Sequence, residues 1–103
     1  MTETFSRSYL MEIAERGHKN RLLQIAHRIK DDFFKALHTE MDEKHTTWIK
    51  EYDIDFHEQS YVYQKLHEIF PDVHIRIRGG LTMEKNVYPK STVFIDISPF
   101  ATV

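Results

Sequence analysis

Seven histidines, sixteen carboxylates and no cysteine define the chemistry open to this 103-residue chain. Without thiols there is no disulfide framework, thiolate nucleophile or sulfur ligand, so a metal site would have to use imidazole and carboxylate. A helix is expected between Asn20 and Tyr52. At about 100° per residue it places His27, Asp31, His38, Asp42 and His45 within one arc of roughly 60°. Inside that arc, His38-x3-Asp42-x2-His45 spaces three ligands about one turn apart, as a zinc or non-haem iron site requires. Glu15-x2-His18 repeats a carboxylate-x2-histidine spacing used in di-metal helical bundles, but those need four converging carboxylates. The plainer account is a solvated face with modest i, i+4 pairing, and it is preferred. No cofactor is expected.

Anion binding is the second chemistry on offer. From Arg16 to Lys30 the chain carries Arg16, Lys19, Arg21, Arg28 and Lys30 with no acid, whereas from Asp31 to Glu58 nine acids face three lysines. With Arg76 and Arg78 on a later strand, and Lys85 and Lys90 beyond it, the basic block has the makings of a phosphate-binding patch on which Tyr88 or Phe94 stacks bases. Against this stand a sequence pI of about 6.4 and a net charge of −2. No helix-turn-helix, RRM or zinc-finger signature is present either. Nucleic-acid binding through Arg16, Lys19, Arg21, Arg28, Arg76 and Arg78 is therefore kept as the alternative reading. Catalysis has less support. There is no nucleophile elbow, phosphate loop or HExxH, and the Gly79-Gly80 pair follows a strand without opening a helix. The chain is expected not to be an enzyme.

The elements that position these residues follow from periodicity. Phe5 to Arg16 reads as a first helix, capped by Ser6 or Ser8, with Leu10, Ile13 and Ala14 on one side. That side points about 150° away from the apolar side of the next segment, so a helix break at Gly17, with Asn20 as the new cap, is expected, and a bent continuous helix is the alternative. Leu22, Leu23, Ile25, Ala26, Ile29, Phe33, Phe34, Leu37, Met41, Trp48 and Tyr52 then recur at three- and four-residue steps and predict a long amphipathic helix from Asn20 to Tyr52. Thr46-Thr47 is its weak point, and residues 46–54 also read as an extended strand. Asp55 and Glu58 form a capping box for a helix whose stripe is Val62, Leu66, Ile69 and Phe70, ended by Pro71. From Val73 the period becomes two. Val73, Ile75 and Ile77 face inward and His74, Arg76 and Arg78 outward, and a second run has Val93, Ile95 and Ile97 inward. The two runs predict an antiparallel hairpin with a long connection from Gly79 to Ser91.

Length and composition suit one small domain over residues 1–103, of class α+β: two or three N-terminal helices on a small C-terminal antiparallel sheet, a hairpin or three strands. No apolar run reaches a membrane span, and MTETFSRSYL has no signal-peptide core, so a cytoplasmic protein is expected. Two strands alone are marginal, and the long helix carries more apolar surface than they can cover. Phe34, Met41 and Trp48 lie seven apart, with Leu37 between the first two and Tyr52 one turn beyond the last, like a short helix-pairing seam. The leading expectation is thus a non-enzymatic interaction module, homodimeric through Phe34, Leu37, Met41, Trp48 and Tyr52. An antiparallel copy would set the basic block beside the acidic one, and a further protein partner would meet the outer sheet face and the 79–91 loop.

Overall fold

A computed structural model describes residues 4–81 and 87–98. A single helix, α1 (Arg7–Thr39), opens the chain. It is followed by strand β1 (Thr47–Tyr52), a 3-10 turn (Phe56–Glu58) running into α2 (Gln59–Ile69), and strands β2 (His74–Gly79) and β3 (Ser91–Asp96). The class is α+β, with two helices and a three-stranded antiparallel sheet in the order β1-β3-β2. The last strand is central, so both β1 and β2 are edges. Ile95 pairs with Trp48 on one side and Ile75 on the other, which puts Trp48, Tyr52, Ile75, Val93 and Ile95 on the face covered by the helices.

Two sequence expectations are overturned. The helix does not break at Gly17. An interior glycine costs about 1 kcal/mol against alanine, which the flanking Leu, Met, Ala, Glu and Arg residues offset, and Ser6 caps the start by accepting from the Tyr9 amide. Nor does the helix continue to Tyr52. It ends at Thr39, and Asp42 folds back so that Oδ1 accepts from the amides of Lys44 and His45. Aspartate offers the backbone this alternative to helix, and the β-branched and aromatic run after it pairs as a strand. The strand reading of residues 46–54 is thus the correct one, and it supplies the third strand that the hairpin needed.

The core is built by the second half of α1. Leu22, Ala26, Ile29, Phe33 and Ala36 are buried there against Trp48, Ile54, Val62, Leu66, Val93 and Ile95. Phe33 is the hinge of this packing, with ring centroids 5.5 Å from Trp48 and 5.4 Å from Phe70, the latter edge-on. The first half of the same helix buries none of its residues, and every residue from Thr4 to Asn20 is exposed. The molecule measures 66 × 30 × 27 Å, with a radius of gyration of 17.2 Å; a compact domain of this length has about 13 Å. The difference is the projecting end of α1. No helix among the described residues is long and apolar enough to cross a membrane.

Candidate functional site

Glu58 is the one buried carboxylate among the described residues, 5% exposed at the junction of the 3-10 turn and α2. The capping box puts it there. Asp55 caps the turn, and the Asp55 amide donates to Glu58 Oε1 at 2.8 Å. The same oxygen accepts from the Tyr88 hydroxyl at 2.7 Å, while Oε2 receives Arg21 of α1 and lies 3.4 Å from His18 Nε2. Arg21 closes the ring by donating to the Tyr88 hydroxyl at 2.7 Å. Burial alone would raise the Glu58 pKa, but the bonds from Asp55, Tyr88 and Arg21 outweigh it and hold the carboxyl below its ordinary value. Burial beside the carboxylate correspondingly pushes the Tyr88 phenol up. The carboxylate, the phenol and the guanidinium all bond to one another within the chain. Chemically it is a latch that ties α1, the α2 cap and Tyr88 together.

The latch depends on a tight passage below it. Gly80, at φ 77°, accepts from the Phe56 amide at 3.0 Å, and a Cβ there would lie 2.5 Å from Phe56 N. Ser91, fully buried, donates to the Ile54 carbonyl at 2.6 Å and accepts from Gln59 Nε2. The sequence signalled the capping box and the glycine pair, but not that Tyr88 and Arg21 would converge on Glu58. Nothing in local spacing links residues 37 and 30 positions away.

A second polar cluster sits at the β1 edge. Asp32 accepts from the Tyr52 hydroxyl at 2.6 Å and from Lys50 Nζ at 3.1 Å. Burial and the Asp32 charge push the Tyr52 phenol far above its usual range, and the two hydrogen bonds keep Asp32 below its own.

The predicted interface residues do not form one face. Trp48 and Tyr52 lie on β1 and are buried in the protein's own core. Leu37 and Met41 pack at the margin of that core, and only Phe34, at 44% exposure and beside Phe70, stays substantially open. The seam was drawn on a helix that ends before Met41. The same ending dismantles the metal arrangement. His38 Nδ1 meets the Phe34 carbonyl at 2.7 Å, Asp42 and His45 bond each other across the turn, and no group of three potential ligands gathers among the described residues.

The cationic residues are likewise dispersed. Arg76 and Arg78 are exposed on the outer sheet face as predicted, but the helices lie on the other face. Arg21 is committed to Glu58, and Arg16 pairs with Glu12 at 3.5 Å. Arg21 and Arg28 share a side of α1 that lines a 210 Å³ cleft with Gln24, Ile25, Tyr52 and Asp53; Lys19 and Arg16 point elsewhere. Lys85 lies outside the described residues. Comparison with known protein families, curated sequences and solved structures finds no match.

Proposed function

We propose that this chain is a non-enzymatic interaction module that assembles as a homodimer, with the projecting half of α1 as the pairing element. The observation that carries the reading is the uncovered stripe Leu10–Ile13–Ala14–Gly17. Leu10 and Ile13 are about half exposed, at 52% and 48%, with Phe5, Tyr9 and Met11 also open beside them. Because α1 is continuous, this stripe points roughly a third of a turn away from the side that Leu22, Ala26, Ile29 and Phe33 bury. The body of the same molecule therefore does not reach it.

A second copy fits because the stripe is self-complementary. In an antiparallel pair centred between Ile13 and Ala14, Leu10 of one copy lies over Gly17 of the other, and Ile13 over Ala14. Large residues meet small ones at each level, as a two-fold interface requires. Tyr9 and Arg16 share one flank, so the ring of one copy falls beside the guanidinium of the other, a cation–π arrangement. Gly17 points the same way. It has ordinary helical backbone, and a Cβ placed there would meet nothing within 4 Å in the single chain. Its helix penalty of about 1 kcal/mol has no return inside one chain, but close approach of a second helix supplies one.

Arg7–Asn20 is about 21 Å of helix, so the contact is at the small end of specific interfaces and dissociates on dilution. Light scattering across a concentration series tests the proposal. The expected result is a dimer mass at high concentration falling toward monomer on dilution, with Ile13→Glu monomeric throughout and its helical circular dichroism unchanged. A wild-type mass that stays monomeric up to the solubility limit would overturn it.

A further inference from the structure

The two edges of the sheet are not alike, and the contrast identifies a second docking surface. Each edge borders a groove beneath a helix. At β1 the groove has a volume of about 320 Å³ and is lined by the charged residues Asp32, Lys35, Glu40 and Lys50 together with Ala36, Trp48 and Ile49. Lys50 stands on the same side of its strand as Trp48 and Tyr52, and it is held across the edge by Asp32. An inward-pointing charge of this kind blocks the addition of another strand. At β2 the groove, about 350 Å³, runs between α2 and the strand and is lined by Gln59, Ser60, Tyr63, Ile75, Arg76 and Ile77. Arg76 is the charged residue in its lining, but no ion pair spans the groove among the described residues as Lys50–Asp32 does at β1, and no backbone group of those residues pairs with the outer edge of β2.

We infer that the β2 edge takes up an extended segment of another protein as a fourth strand, one that alternates apolar and acidic side chains. The alternation follows from the two sides such a strand would present. One set of side chains enters the groove against Ile75, Ile77 and Tyr63. The other set lies on the outer face beside His74, Arg76 and Arg78. The cross-strand neighbours of Arg76 and Arg78 on β3 are Phe94 and Thr92, and neither guanidinium forms an ion pair among the described residues. Two cations with no acid across from them call for carboxylates on the incoming strand. The same charges argue against a second copy here. Antiparallel pairing of β2 with itself would set arginines and histidines against each other on one face.

Strand uptake at β2 does not require the pairing of α1, and the test keeps the two apart. A fluorescein-labelled alternating valine–glutamate octapeptide is titrated with the protein and followed by anisotropy. Three companion peptides are compared with it: one of the same composition with the valines and glutamates in separate blocks, one with lysine for glutamate, and one N-methylated at alternate residues. Saturable binding of the alternating peptide is expected, with each companion at least about tenfold weaker. Arg76→Glu with Arg78→Glu should also cost about tenfold, and bound peptide should slow amide exchange in β2 and not in β1. The monomeric Ile13→Glu variant should bind as well as wild type. Equal binding of the block-ordered or N-methylated peptide, or no saturable binding of the alternating one, would overturn the inference. The peptide series uses the unaltered protein, so its outcome is decisive even if the double variant misfolds.

Discussion

The two halves of α1 share a backbone and a comparable supply of apolar residues, yet they live in different surroundings. From Leu22 to Ala36 the apolar residues other than Phe34 are covered wholly or in part by the sheet and α2, and Ala26 and Ile29 are fully buried. From Tyr9 to Gly17 they stand in solvent. Apolar periodicity says that a face needs covering, not what covers it. Here one half finds its cover within the chain and the other does not. The uncovered apolar surface expected between Asn20 and Tyr52 is mostly covered within the chain, Phe34 and Ile49 excepted, and the long uncovered stretch of α1 lies N-terminal to Asn20, where it was not expected.

The contrast can be broken hardest at Phe33. Truncation to alanine removes the ring that joins Trp48 to Phe70 and leaves a void in a packed core. Loss of stability of about 4 kcal/mol is expected by denaturant unfolding, enough to unfold much of a domain this small. Ile13→Ala, by contrast, should leave the unfolding midpoint of dilute, monomeric protein within about 0.5 kcal/mol of wild type. Comparable losses at the two positions would mean that the projecting half is packed after all.

Glu58 comes next, because its latch is where the two halves meet: His18 belongs to the projection and Arg21 opens the packed half. Glu58→Gln keeps the shape and an acceptor for the Asp55 amide but removes the charge that Arg21 and Tyr88 engage. Solvent access at Arg21 trims the effect below that of a fully buried pair, and a loss of about 2 kcal/mol at neutral pH is expected. The pH dependence sharpens the assignment. The folded-state pKa of Glu58 lies below the ordinary 4.5, so its contribution is complete above that pH and disappears as the pH falls through the folded value. The stability gap between wild type and Glu58→Gln should be flat above about pH 5 and close below 4.5. A gap that persists unchanged into acid would show that the glutamate acts by shape alone.

Legibility followed the range of the interaction. The capping box at Asp55 and Glu58, the helix ended by Pro71, the β2–β3 hairpin and its outward arginines were all readable, because each is decided by neighbours a few residues apart. The end of α1 was not. Met41, His45, Trp48 and Tyr52 keep helical spacing, and Trp48 and Tyr52 also keep the alternation of a strand; the side chain of Asp42 and the need to pair β3 on both sides decided between them. The metal triad and the aromatic seam both fell with that one misplaced boundary. The Glu58 latch was illegible for another reason, since its partners come from distant parts of the chain. Phe94, offered in the sequence as a stacking residue, is half-buried in a row between Ile49 and Arg76.

The smallest expected effect is the most discriminating. Gly17 stands in the projecting half where a Cβ has open space around it. In an isolated chain, Gly17→Ala should therefore stabilise α1 by about 0.5–1 kcal/mol, through reduced backbone freedom in the unfolded state. In the proposed dimer the same methyl group stands under Leu10 of the other copy and holds the helices apart. The variant should thus unfold later when dilute and dissociate more readily when concentrated, two shifts of opposite sign from one substitution. If dilute stability rises and the dimer is unaffected, the helices do not cross at Gly17, and the pairing register centred between Ile13 and Ala14 must be abandoned.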